Sequence, residues 1–256
     1  MYIISMRKRN LYFIAAIAAL LLFSCTDFFS TSWAPWAARD PDKLVPAVTA
    51  GNVDELIALA ENDPNLSLAI LKKIRSAANG ASEEDRQKLQ CAALEAAVNA
   101  AGLGQAVLGV ADKLISIDNE DDAKKLVFDT INVMSNLEAA GSVLFDILPP
   151  APNLTDPTDE NWPAFKAFTD SASADSLAMA AVVIIAGEAK KISDGDFDSY
   201  FDSYFDNPYE EEYENEKLAI ALAFASALEG RENELSGPLR NVLQGLNLIS
   251  SLSPSP

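Results

Sequence analysis

Histidine is absent from the 256 residues. Histidine-dependent triads, histidine-ligated metal centres and the usual titrating group near neutral pH are therefore excluded. Bases are scarce too: 19 Lys and Arg stand against 38 Asp and Glu, a formal net charge of −19. A surface this negative repels phosphate backbones, so no nucleic-acid partner is expected. Alternating strand patterns are nearly absent, and every apolar run falls short of the roughly 18–20 residues that a spanning helix needs. There are only two cysteines, Cys25 and Cys91. Gly102-Leu103-Gly104 is followed by Val107 where a nucleotide loop needs its third glycine, and no βαβ pattern surrounds it. These glycines are expected to separate helices.

What is present is clearest at the start. Arg7-Lys8-Arg9 forms a positive cluster, residues 11–23 are uninterruptedly apolar, and Leu22-Phe23-Ser24-Cys25 follows. Charge, short apolar stretch and small residue in that order read as a signal peptide over residues 1–24. The segment ending at Cys25 resembles a bacterial lipobox, of the relaxed kind found in spirochaete lipoproteins. Phe23 departs from the small or aliphatic residue usual at its position in enteric bacteria. The resemblance implies that Cys25 is acylated and that the chain is held on a membrane of the cell envelope, on the periplasmic side or at the cell surface. Loss of the three bases with the leader makes the chain more negative still. Cys91 would then be the only thiol, so no internal disulfide could form. Its neighbours Leu89, Ala92, Ala93 and Leu94 mark it as a small packed residue rather than a nucleophile.

Residues 25–40 read as a tether. Phe28, Phe29, Trp33 and Trp36 either rest in the headgroup layer or pack on the domain that follows. From residue 41 the apolar period is helical. Val53, Leu56, Ile57 and Ala60 make one stripe, with Asn52 as its expected N-cap and Glu55 at N3. Asn62-Asp63-Pro64 breaks that helix. Leu66, Ala69, Ile70, Ile74 and Ala77 make the next stripe, ended by Asn79-Gly80. Ser82, with Glu83, Glu84 and Asp85 behind it, opens a longer helix with stripe Leu89, Ala92, Ala93, Ala96 and Ala100. Further helices are expected over residues 105–115, from 119 with Ala123, Leu126, Val127, Ile131 and Met134 inward, and over 136–148.

Four prolines, Pro149, Pro150, Pro152 and Pro157, make residues 149–160 a connector between helical regions 41–148 and 161–252. Beyond it come a short helix over 162–168, two runs apolar all round at 177–187 and 218–228, and a last helix over 238–250. The apolar runs read as central, surrounded helices. The fold class is all-α, an array of antiparallel helical hairpins, either an irregular α-solenoid or an α-bundle. The Leu-Glu-Ala-Ala repeat at 94–97 and 137–140 is too short to establish duplication.

One segment resists this reading. Phe197-Asp198, Phe201-Asp202, Phe205-Asp206, Tyr209-Glu210 and Tyr213-Glu214 repeat an aromatic and an acid every four residues. Spacing of four keeps Phe197, Phe201 and Phe205 on one helical face, drifting about 40° per step. Packing of that face on the core leaves the acids in water. Asp194, Asp196, Asp198, Asp202 and Asp206 could otherwise meet a cation or a basic partner. An EF-hand is excluded by Ser199 and Phe205 where the loop needs glycine and glutamate. Helical muramidases carry a glutamate–serine pair that does not occur here, and no catalytic residue, metal site or cofactor is expected. The expected function is a lipid-anchored, helical-repeat-like binding or scaffold module with a protein partner in the envelope. The alternative is a small-molecule-binding lipoprotein associated with a transporter.

Overall fold

The computed structural model describes residues 40–114, 120–156, 158–193, 216–236 and 239. The chain divides into two units, residues 1–44 and 45–256. The first contributes one described turn of helix, α1 (Pro41–Leu44), opened by the Asp40 carboxylate, which accepts from Asp42 N at 3.1 Å.

The second unit is all-α among the described residues, with no strand. Helix α2 (Val53–Ala60) buries Val53, Ile57 and Ala60. Asn52 precedes it as expected but does not cap it. Its backbone sits at φ −120°, ψ −2° rather than in the extended region that swings a cap over the first turn. Asn52 Oδ1 instead accepts from Thr49 N at 2.8 Å, and Asn52 Nδ2 donates to Ala47 O at 3.0 Å, tying down the preceding turn.

Helix α3 (Pro64–Ala78) is opened by extended Asp63, whose Oδ1 accepts from Asn65 N and Leu66 N at 3.1 and 3.0 Å, with Pro64 in the first turn where its missing N–H costs nothing. Its core face is Ala69, Ile70, Leu71, Ile74 and Ala78; Leu66 and Ala77 are half-buried. Helix α4 (Glu83–Ala101) starts at Ser82, whose Oγ accepts from Asp85 N at 3.3 Å, and stops at Gly102 in the left-handed region, φ +70°. All five expected stripe residues of α4 are buried. So are Gln90, Leu94, Ala97, Val98 and Ala101. This helix, polar over its first turns and enclosed thereafter, is central. It meets α2, α3 and the later α5 (Leu103–Leu114), α7 (Leu137–Phe145), α8 (Trp162–Ser171) and α9 (Ala174–Ser193). Between α5 and α7 lies α6 (Glu120–Asn132). Contacts that skip so far along the chain are those of a bundle; a solenoid joins only neighbouring repeats.

The connector is ordered by its own short polar side chains. Asn153 Oδ1 accepts from Thr155 N at 3.0 Å, Asp156 Oδ1 from Thr158 N at 2.8 Å, and Trp162 Nε1 donates to Asp156 O at 3.0 Å. Helices on its two sides share one core, because α9 packs along α7 and across α4. The α7–α9 seam is set by two glycines. A Cβ on Gly141 would lie 2.9 Å from Val183 O, and one on Gly187 would lie 2.9 Å from Leu137 O. Each glycine thus receives the backbone of the other helix, and the axes approach as only small residues allow.

Helix α10 (Glu216–Leu228) closes α9 and α8. Phe224 is fully buried, its ring 5.8 Å from Phe165 and 6.0 Å from Phe168 between centroids. The expectation that residues 218–228 are surrounded fails on one face: Leu222 is 41% exposed, and Ala225 and Ser226 are exposed. Among the described residues no neighbouring helix covers that side, and short Ala and Ser side chains meet water there at little cost. The last expected helix, 238–250, lies outside the described residues apart from buried Leu239.

The few bases close helix ends. Lys190 Nζ donates to Asn132 O and Met134 O at 3.0 and 2.7 Å at the end of α6. Arg231 donates to Thr169 O and Ala172 O at 3.0 and 2.9 Å at the end of α8. Both supply donors to carbonyls that have no partner within their helix, and both bring positive charge to its negative end. Lys217 and Glu188 join α10 to α9 at 2.5 Å, with side chains 18% and 12% exposed, which makes this the best shielded ion pair among the described residues.

Candidate functional site at the α4–α5 junction

Where α4 gives way to α5 the helices leave a cleft of about 480 Å³. Gly102 turns the chain in the left-handed conformation, and Leu103 starts the next helix at once. Gly104 lies in the first turn of α5. A Cβ at Gly102 or Gly104 would meet nothing within 4 Å. Glu61 and Asn62, in the link between α2 and α3, form the facing wall with Pro64 at the start of α3, and Met179 of α9 and Leu239 complete an apolar side with Pro64. Asn62, Asn99, Gln105 and Ser236 add polar side chains to the lining, and the cleft is open to solvent.

The polar group that stands out is Asn99, on the last turn of α4. Its backbone carbonyl accepts from Gly102 N at 3.0 Å. Its side-chain Nδ2 is shut off from solvent and has no acceptor; among the described residues no other buried side-chain polar atom is left so. Burying an amide donor without a partner costs about 1–3 kcal/mol. One turn earlier on the same helix is Glu95. Its carboxyl is pushed above the ordinary range, first by loss of solvent and then by the negative charges of Asp54 and Glu61. Asp54 has a partial counter-charge in Lys88 at 3.2 Å. Glu61 lines the cleft. The cleft therefore has Glu61 on its wall, while the unsatisfied Asn99 donor is enclosed beside it and Glu95 lies outside its lining.

In the sequence Gly102 and Gly104 stand out as helix separators and Asn62 and Pro64 as a helix break, but neither Asn99 nor Glu61 was singled out. A signal exists for Asn99, a lone amide inside the apolar stretch 96–101. The residues that were singled out, Cys25 and Asp194, Asp196, Asp198, Asp202 and Asp206, lie outside the described residues, as do Phe197, Phe201 and Phe205 and the tether aromatics. Cys91 is a free thiol on α4, half-buried against the core, and burial raises its pKa, so it is protonated and unreactive at neutral pH. Among the described residues no cluster of three or more Cys, Asp or Glu is placed to hold a metal ion, and no single helix is long and apolar enough to cross a membrane. Compared with protein-family models, curated proteins and solved structures, the chain matches none.

Proposed function

We propose that this chain is a lipid-anchored protein of the bacterial cell envelope whose helical domain is a binding module. The observation that carries the reading is the order of Arg7-Lys8-Arg9, the apolar stretch 11–23 and Cys25. A thioether-linked diacylglyceryl group on Cys25 would hold the domain at the membrane surface, with residues 26–40 as spacer. Its two acyl chains suffice for stable anchoring, and the aromatic rings of Phe28, Phe29, Trp33 and Trp36 would add to the hold. The acidic surface then faces a basic or neutral partner rather than the anionic headgroups.

Expression in a bacterial host followed by detergent-phase partition tests the anchor. The parent is expected in the detergent phase, and Cys25→Ala is expected to stay unprocessed or to move to the aqueous phase. Identical partition and migration of the two would remove the anchor. The second reading, a ligand-binding lipoprotein that works with a transporter, is favoured by the cleft beside Asn99.

A further inference from the structure

We infer that Asn79-Gly80, in the turn between α3 and α4, is a site of spontaneous covalent modification. The Asn79 side chain closes on the Gly80 nitrogen and reopens as aspartate or isoaspartate, which loosens the turn.

The fold does not account for a glycine at position 80. Gly102 is held at φ +70°, and Gly141 and Gly187 admit the backbone of a facing helix. Gly80 has no positive φ, and a Cβ there would meet nothing within 4 Å. Its effect is chemical instead. Without a Cβ the Gly80 nitrogen is unshielded, and the backbone at glycine turns more freely than at any other residue. Asn79 ends α3, and both residues are exposed. The Gly80 N–H donates to Ala77 O at 3.4 Å, beyond the usual range of about 2.7–3.2 Å, so little holds that nitrogen in place. No other asparagine in the chain precedes a glycine. Asn65 and Asn153 are exposed as well, but Leu66 and Leu154 follow them and set a branched side chain beside the attacking nitrogen.

The reaction needs only water. As the Gly80 nitrogen gives up its proton it attacks Asn79 Cγ. The new C–N bond closes a cyclic imide, the Cγ–Nδ2 bond breaks, and Nδ2 leaves as ammonia with that proton. Water then opens the ring at either carbonyl. Opening at Cγ restores the main chain and leaves aspartate. Opening at the main-chain carbonyl leaves isoaspartate, with the chain lengthened by the Asn79 Cβ. Either product sets a carboxylate at the negative end of α3. The isoaspartyl form also stretches the span that Arg86 clamps, from Nε on Ala78 O at 3.4 Å to Nη2 on Ala81 O at 3.3 Å.

Storage of the full-length chain in detergent at mildly alkaline pH, followed by tryptic peptide mapping with mass spectrometry, tests this. Residues 76–86 fall in one peptide, between Arg75 and the cleavage site after Arg86. That peptide is expected to gain the mass difference between Asn and Asp, in separable aspartyl and isoaspartyl forms, while Asn65 and Asn153 stay unchanged. Gly80→Ala, which the open space around position 80 accommodates, is expected to leave Asn79 intact over the same storage. Stored parent should melt below fresh parent, and stored Gly80→Ala should melt like the fresh variant.

An intact Asn79 in the stored parent, a Gly80→Ala variant that converts as fast as the parent, or conversion of Asn65 and Asn153 at the rate of Asn79 would each overturn the inference. Equal melting of fresh and stored parent, with Asn79 converted, would overturn the loosening of the turn.

Discussion

An added Cβ at Gly141 or Gly187 would fall 2.9 Å from a carbonyl oxygen of the opposite helix, whereas one at Gly102 or Gly104 would meet nothing within 4 Å. The same residue type serves opposite ends in the two regions. In the α7–α9 seam it lets two backbones touch, and the seam is apolar and without orphaned side-chain polar atoms among the described residues. At the α4–α5 junction it keeps space open, and beside that space Asn99 has a buried donor without an acceptor. Close packing is the stable default for a helical core. At the α4–α5 junction it is withheld, at a polar cost.

Substitution in the seam should have the largest effect. Gly141→Ala and Gly187→Ala each gain up to about 1 kcal/mol of helix propensity but force the helices apart, at an overpacking cost of about 1–3 kcal/mol. Each is expected to lower stability to chemical denaturation. The double variant should lose less than the sum, because one separation relieves both contacts. Additive losses, or a gain, would break the account of the seam.

At the cleft the two glycines should part company. Gly102→Ala is expected to cost about 1 kcal/mol, since φ +70° is unfavourable for a residue with Cβ. Gly104→Ala, at an ordinary helical position with open space around it, should gain a few tenths of a kcal/mol. Opposite signs at Gly187 and Gly104 in the same denaturation experiment would sharpen the comparison most.

The smallest effect concerns Glu95. A folded-state carboxyl whose pKa is raised binds its proton more tightly than in the unfolded chain, so its ionised form opposes folding at neutral pH and the penalty fades as pH falls through that pKa. Glu95→Gln is expected to stabilise by a few tenths of a kcal/mol at pH about 7, because the side chain is largely exposed, and to lose the advantage in the acid range. A gain that is the same at both ends would exclude the electrostatic cause.

Helix positions were legible where local chemistry sets them. Asp63-Pro64 and Ser82 open helices by bonds to residues two or three along, and the stripe from Leu89 to Ala100 is buried throughout. What depends on distant segments was not. Gly141 and Gly187 look alike in sequence to Gly104, and only their partners across the seam distinguish them. Asn52 carries the right side chain for a cap, but the turn at Thr49 claims it. That α4 is enclosed, while α10 keeps an open face, follows from how many helices surround each rather than from apolar content, which is higher in α10. The Asn99 amide was visible as a polar residue in an apolar run, yet nothing in the run says whether a neighbour completes it.

The claim that the two glycine regions serve opposite ends is tested most directly by placing the same large side chain in each. Gly104→Leu places a side chain where nothing now lies within 4 Å of the Cβ position. Thermal unfolding should give this variant a melting temperature at or above that of the parent, whereas Gly187→Leu, whose Cβ would lie 2.9 Å from Leu137 O, should melt well below it. Melting temperatures that fall by the same amount in the two variants would contradict the account.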